Sequence, residues 1–172
     1  GGLSTYMENT VRMLSEGGHE VTVIYSNPSA SERYISNEAP NVTVVHFPTG
    51  RDEQYKNTPH WVNLSRLFAE TTEWAITQLG KPDIIEVADG FGIGYFTLLK
   101  REAANIRLKG IPIICTAHTP VYLMNRANKK SEYLIQEAAV FEMEKGCYEL
   151  CDLISVPSNY LRKLPIEHLP RI

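Results

Sequence analysis

Three sets of residues in this sequence could do chemistry, and two of them follow segments that read as buried strands. His118-Thr119 comes directly after the apolar run IPIICTA, and Asp89 opens the stretch DGFGIGY after PDIIEV. Gly1-Gly2 stand before Ser4-Thr5 at the start of the sequence. In parallel α/β sheets, ligands bind beyond the carboxyl ends of the strands. These positions are therefore the first candidates for a ligand site.

The glycines admit two interpretations. Gly1-Gly2 followed by a helix is typical of a loop in which free backbone N–H groups meet a phosphate or diphosphate, and a disordered end is the alternative. In DGFGIGY the spacing G-x-G-x-x-G fails because position 95 is Tyr. Glycines 90, 92 and 94 are therefore expected to shape a tight turn and close helix packing rather than to bind a dinucleotide.

The remaining candidates have structural alternatives. His118 either caps a turn or serves a ligand site, and its position after a strand favours the second role as much as the first. Asp89 is better placed for a ligand than Glu86, for which we expect a solvated or capping role. Two further groups are expected to be structural or solvated: the thiols Cys147 and Cys151, without zinc spacing, and the basic residues Arg126, Lys129 and Lys130, for which anion or membrane-surface contact is the alternative.

Strands and helices must alternate to position these residues. The predicted strands are HEVTVIY, VTVVHF, PDIIEV, IPIICTA and residues 152–156. The predicted helices span residues 5–16, 61–79, 93–105, 131–150 and 158–164, with Thr5 as a cap and Gly17-Gly18 and Gly80 as stops. Residues 26–40 are expected to be a polar stretch without a strand. Nearly unbroken apolar strands between helices predict a doubly wound α/β domain with a mainly parallel, Rossmann-like sheet and helices on both faces.

Composition excludes several classes of protein. The 172 residues, 43% hydrophobic and 22% charged, are those of a globular domain of ordinary size. A net charge of −3 argues against a nucleic-acid surface. Three cysteines fit a reducing compartment, and no segment has the apolar length of a membrane span or the pattern of a signal peptide. A cytoplasmic protein is expected, with possible peripheral contact at the cytoplasmic face of a membrane.

The order of segments carries a resemblance. The start GGLSTYMENTVRMLSEGGHEVTVIY, then PDIIEVADGFGIGYF, IICTAHTP and CDLISVPSNYLRK together resemble the amino-terminal domain of the family-four (group 1) retaining glycosyltransferases, which have the GT-B fold. These segments occur in the order of the family and span almost the whole chain. The resemblance implies transfer of a sugar from a nucleotide-sugar donor to an acceptor with retention of configuration.

The resemblance also implies roles for individual residues. Gly1 and Gly2 would contact the diphosphate of the donor, and His118 would be the catalytic residue beside the donor sugar, which it orients or whose developing charge it stabilises. Asp89, Tyr122 and Asn125 would help to form the acceptor pocket. Since the donor's own diphosphate oxygen is thought to assist the acceptor hydroxyl, no strong general base is required. No metal and no cofactor are expected.

The same resemblance implies that residues 1–172 are the acceptor-side domain of a larger enzyme. They would lack its first strand and its carboxyl-terminal nucleotide-sugar domain, and would be inactive alone. The partners would be the nucleotide-sugar donor, that missing domain, and a glycan, lipid or small-molecule acceptor, with no nucleic acid. Two alternatives are a non-enzymatic acceptor-binding subunit and a Rossmann-type oxidoreductase domain, and the failed glycine spacing argues against the second.

Overall fold

A computed structural model of the chain describes residues 2–50, 55–118, 120–129, 135–159 and 162. The chain divides into two compact units, Gly1–Gly50 and Arg51–Ile172. The first unit contains α1 (Gly2–Glu16), β1 (Val21–Ser26), β2 (Tyr34–Ala39) and β3 (Val42–Phe47). The second contains α2 (His60–Leu79), β4 (Ile85–Ala88), α3 (Tyr95–Glu102), β5 (Ile113–Thr116), α4 (Val121–Ala127), α5 (Ile135–Leu150) and β6 (Leu153–Ser155).

The first unit is built on a three-stranded sheet in the order β1-β3-β2. β1 and β3 are parallel, whereas β2 is an antiparallel edge strand. The central strand β3 supplies the two most buried side chains of the unit, Val45 and Phe47. Helix α1 ends as the sequence predicts, because Gly18 adopts a left-handed backbone with φ of 82°, which only glycine takes without strain.

The second unit is a parallel sheet in the order β4-β5-β6, flanked by helices. Its core joins β4, β5, α3 and α5 through fully or almost fully buried side chains: Val87, Leu98, Ile113, Cys115, Ala117, Cys147 and Tyr148. Burial of Cys147 confirms its prediction as a structural thiol, and Cys151 is half-buried. The mainly parallel α/β prediction is confirmed, and no helix of the described residues is long and apolar enough to cross a bilayer.

Two predictions in the first unit are wrong. α1 begins at Gly2, so Thr5 lies inside the helix and is not its cap, because a capping residue must flank the first helical turn. The stretch 26–40 contains β2, which forms through backbone pairing with β3 although its sequence YISNEA is mostly polar. Because an edge strand needs little apolar surface, the hydrophobic pattern by which a strand is predicted from sequence is weak here.

Two details of the second unit differ from the prediction. The helix predicted at 93–105 is present as the shorter α3: a 3₁₀ helix, Gly90–Gly92, precedes it, and α3 ends early because Ala104 takes a left-handed backbone with φ of 58°. The short helix α4 was not predicted. The described part of the helix predicted from residue 131 begins at Ile135, and most of the predicted helix 158–164 lies outside the described residues.

Candidate functional site

The candidate site is formed by the loops that follow β4 and β5. These strands are parallel neighbours, and Ala88 pairs with Thr116 at their carboxyl ends. The backbone N–H of Asp89 donates to the carbonyl oxygen of Thr116 at 3.0 Å, which extends this contact into the first loop. The two loops therefore leave the sheet side by side, and the candidates Asp89 and His118 come together as the sequence predicts.

Asp89 connects the two loops through a buried carboxylate. Its side chain has no exposed surface. Oδ1 accepts a hydrogen bond from the backbone N–H of His118 at 3.0 Å, and Oδ2 accepts one from the Tyr148 hydroxyl at 2.6 Å. Burial raises the pKa of Asp89 above its ordinary value, while these two hydrogen bonds oppose the rise. With both oxygens engaged and no exposed surface, Asp89 can act on a ligand by fixing the backbone of His118.

Tyr148 brings helix α5 into the site. It is buried, and burial together with the neighbouring Asp89 carboxylate raises the pKa of its phenol well above the usual range. The hydroxyl therefore stays protonated and donates a hydrogen bond to the carboxylate of Asp89. Sequence reasoning did not single out Tyr148, because a tyrosine in an apolar helical stripe is typical of an ordinary core residue.

His118 is fixed through its backbone, and the residue is half-buried, with the Nε2 atom of its ring shielded from solvent. On one side, the N–H of Ala117 donates to the carbonyl oxygen of Ser155 in β6 at 2.8 Å. On the other side, the N–H of His118 itself donates to Asp89. The main chain that carries the imidazole is thus attached to two different elements. This arrangement places a half-buried histidine at a defined position beyond the end of β5.

The loop after β4 has a constrained backbone. Phe91 adopts a left-handed conformation with φ of 57° and ψ of 15°, which is unfavourable for a residue with a large side chain. Gly92 follows with φ of 64°, and a Cβ there would lie 2.3 Å from the Cβ of Met143, so only glycine fits. The Phe91 ring stacks on Trp61 of α2, with centroids 3.8 Å apart and planes 9° apart. This confirms the predicted tight turn and close helix packing.

Glu144 of α5 holds the same loop and the start of α4. The residue is only 2% exposed. Its Oε1 accepts hydrogen bonds from the N–H groups of Phe91 at 3.1 Å and Val121 at 2.9 Å, and Oε2 lies 3.0 Å from the same Val121 nitrogen. Sequence reasoning missed Glu144, which stands among several glutamates of one helix and carries no motif.

The other predicted site residues do not lie in the two loops that carry Asp89 and His118. Gly1 is outside the described residues, and Gly2 is the first residue of α1 in the first unit, hence part of a helix rather than of a preceding loop. Tyr122 and Asn125 both lie on α4, and the side-chain amide of Asn125 donates to Glu137 at 3.1 Å. Their placement puts them in the segment that directly follows His118.

One further candidate lies on β4. Glu86 is exposed, which agrees with the predicted solvated role, and it accepts a hydrogen bond from the Thr116 hydroxyl at 2.7 Å. In the part of the chain that the structure describes, no group of three or more His, Cys, Asp or Glu side chains is arranged to hold a metal ion.

Comparison with known proteins agrees with this arrangement. The sequence matches the family described as Glycosyltransferase Family 4 over residues 1–171. A search of curated proteins finds no significant match. The family match includes β4, β5 and the loops that carry Asp89 and His118. Because it covers practically the whole chain, this α/β protein belongs to glycosyltransferase family 4.

Proposed function

We propose that the chain is the acceptor-side domain of an enzyme that transfers a sugar from a nucleotide-sugar donor to an acceptor, with retention of configuration. The observation that carries the proposal is the double backbone attachment of His118, to Asp89 and through Ala117 to β6, which fixes the main chain that carries the half-buried imidazole directly beyond β5. A site that must orient a bound sugar needs groups whose position is fixed before the substrate arrives. Membership of the glycosyltransferase family supplies the reaction class.

In this proposal each residue has a defined role. His118 lies beside the donor sugar and stabilises charge that develops on it. Gly1 and Gly2 bind the donor diphosphate. Tyr122 and Asn125 contact the acceptor, a glycan, a lipid or a small molecule, and Asp89 serves the acceptor pocket by holding the loop in place. No metal or cofactor takes part.

The reaction requires no strong base from this domain. The acceptor hydroxyl oxygen forms the new bond to the anomeric carbon of the sugar, and the bond from that carbon to the diphosphate oxygen breaks. The proton of the hydroxyl passes to the departing diphosphate, which leaves as the nucleoside diphosphate. Asp89 is buried and engaged by two hydrogen bonds, so it is poorly placed to remove this proton.

We further propose that activity needs a second, nucleotide-sugar domain and a strand from outside residues 1–172. Among the described residues β1 pairs only with β3 and β4 only with β5, so each has one unpaired edge. Such an edge presents a row of N–H and C=O groups that a buried sheet must satisfy. The assembled enzyme would work in the cytoplasm, either free or in contact with the cytoplasmic membrane face.

The test is the variant His118→Ala in the intact protein. If the imidazole acts on the transition state, we expect kcat to fall by an amount equivalent to about 2–4 kcal/mol, the scale of one such stabilising group. The thermal midpoint should change less than turnover does, because His118 lies in a loop beyond the end of β5 and is not one of the core side chains of the second unit. The control is His19→Ala, which removes an exposed imidazole from the first unit and should leave both quantities unchanged.

Near-normal turnover together with a large fall in thermal midpoint would contradict the proposal and give His118 a structural role. An intact protein that binds a glycan or lipid acceptor but transfers no sugar from any nucleotide sugar would instead be an acceptor-binding subunit.

A further inference from the structure

One buried carboxylate connects the loop after β4 to the segment after β5. Glu144 is buried in helix α5 and accepts N–H groups from Phe91 and from Val121, which are separated from it by 53 and 23 residues along the chain. Phe91 belongs to the turn that begins at Asp89, and Val121 is the first residue of α4. A single side chain thus contacts two separate parts of the candidate site.

The chemistry of this contact explains why the residue is a glutamate. Three contacts from two backbone N–H groups reach the two oxygens, and a carboxylate has enough acceptor positions for all of them. Hydrogen bonds to a charged acceptor are stronger than those between neutral groups. A charge buried in this way is costly unless such donors surround it, so the loops and the carboxylate depend on one another.

The backbone of Phe91 shows what Glu144 maintains. A phenylalanine in the left-handed region persists only where its surroundings enforce that conformation. Here the N–H of Phe91 is held by Glu144, and its ring is held against Trp61. If the carboxylate were removed, the turn could relax toward ordinary backbone angles, and the ring would leave its place.

We propose that Glu144 is a positioning residue for acceptor binding: from the back of the site it fixes the turn at Phe91 and the start of α4 in the geometry that receives the acceptor. This inference rests on the proposed function, since it assigns the acceptor to these two segments. Glu144 itself contacts no substrate. It acts through Phe91 on one side and, through Val121, on the helix that carries Tyr122 and Asn125 on the other.

The experiment compares Glu144→Ala and Glu144→Gln in the intact protein. Alanine removes every acceptor, whereas the carbonyl oxygen of glutamine can still accept both N–H groups. The matched control is Glu149→Ala, which removes an exposed glutamate one turn further along α5, where it pairs with Lys145 at 3.8 Å.

Two readouts are needed. In Glu144→Ala, hydrogen exchange at the amides of Phe91 and Val121 should accelerate, and the KM for the acceptor should rise by about 10- to 100-fold, the factor that corresponds to lost hydrogen bonds to a charged acceptor. The KM for the nucleotide sugar should stay within about twofold, because the donor is assigned to other residues. Glu144→Gln should recover most of the protection and of the acceptor KM, and Glu149→Ala should match the wild type.

Unchanged exchange at Phe91 and Val121 in both variants would overturn the inference. So would a fall in kcat that merely follows the loss of folded protein, with both KM values unchanged, since that is the result of a purely structural role. If Glu144→Ala does not fold, Glu144→Met, which has a side chain of similar length without an acceptor oxygen, carries the decision through the same two readouts, with Glu144→Gln as its rescue. A wild-type protein without any transferase activity would refute the proposed function and the assignment to an acceptor, whereas the exchange data would still decide whether Glu144 holds these loops.

Discussion

The hydrogen bond from Tyr148 to Asp89 offers the sharpest test of how the site is held. Tyr148→Phe removes only the hydroxyl, which lies 2.6 Å from Oδ2 of Asp89 in a region without solvent access. The ring can stay in place, so little packing is lost. Hydrogen bonds to charged groups contribute about 1.5–3 kcal/mol, and we expect the free energy of unfolding to fall by about that amount where Asp89 is ionised.

The loss of stability in Tyr148→Phe should depend on pH, and the direction of this dependence follows from the pKa of Asp89. Burial raises this pKa in the folded protein above the ordinary aspartate value, so the folded state retains a proton that the unfolded state has released. The contribution of Asp89 to stability is therefore present in acid and decreases as pH rises through the folded-state pKa. Tyr148→Phe removes a bond that lowers this pKa, so the pKa rises further. The difference between variant and wild type should be small in acid and should grow as pH rises.

The measurement is urea unfolding of the intact protein at several pH values between about pH 4 and about pH 8. The lower end of this range lies near the ordinary pKa of aspartate. Two controls separate the causes. Tyr95→Phe removes a hydroxyl that has no hydrogen bond to another described residue, and it should change stability by less than about 0.5 kcal/mol. In an Asp89→Asn background the charge is absent, so the effect of Tyr148→Phe should no longer vary with pH.

A destabilisation of equal size across the whole pH range would refute this reasoning, because it would mean that the hydroxyl contributes packing or a neutral hydrogen bond only. A pH dependence that persists in the Asp89→Asn background would assign the titration to another group.

Two further predictions concern helix α3. Ala104 takes φ of 58° directly after the C-cap residue of this helix; its N–H donates to the carbonyl oxygen of Arg101, and the N–H of Asn105 donates to that of Lys100. Ala104→Gly should therefore raise the free energy of unfolding by about 1 kcal/mol, because glycine adopts this left-handed angle without strain. The control Ala103→Gly should lower the free energy of unfolding. Thr97 is fully buried and its hydroxyl has no partner among the described residues, so Thr97→Val should be neutral or stabilise by up to about 1 kcal/mol in a thermal or urea melt. A clear loss of stability in Ala104→Gly or in Thr97→Val would contradict these expectations.

The parts of the fold that the sequence predicted well are those that depend on local pattern. β3 has the predicted bounds because most of its residues, VTVVHF, are β-branched or aromatic, and α2 begins within one residue of its predicted start and ends before Gly80. The neighbourhood of Asp89 and His118 was predictable for a different reason. Both follow parallel strands, and parallel neighbours bring their carboxyl ends to one edge.

The parts that could not be predicted depend on contacts distant in sequence or on unusual backbone angles. β2 is a strand because β3 offers it a partner, and its own residues do not require one. α3 stops at a C-cap motif built on Ala104, where the usual glycine signal is absent. Phe91 likewise takes a left-handed angle that no sequence rule assigns to phenylalanine.

The residues of α5 show how far a sequence pattern could have gone toward the site. Val140, Met143 and Cys147 form the buried stripe of this helix, and Glu144 and Tyr148, four residues apart, lie buried with them. A glutamate within such a stripe must find hydrogen-bond donors, so the pattern alone indicates a buried polar contact.

The pattern does not identify those donors, because they are backbone groups of two loops that reach the helix only in the folded chain. Glu144 holds the turn at Phe91 and the start of α4, and Tyr148 holds Asp89 and through it His118. Both loops of the candidate site are thus attached to one face of one helix. A substitution on that face can therefore move either loop of the candidate site without contacting a ligand, because both loops depend on side chains of α5 for their position.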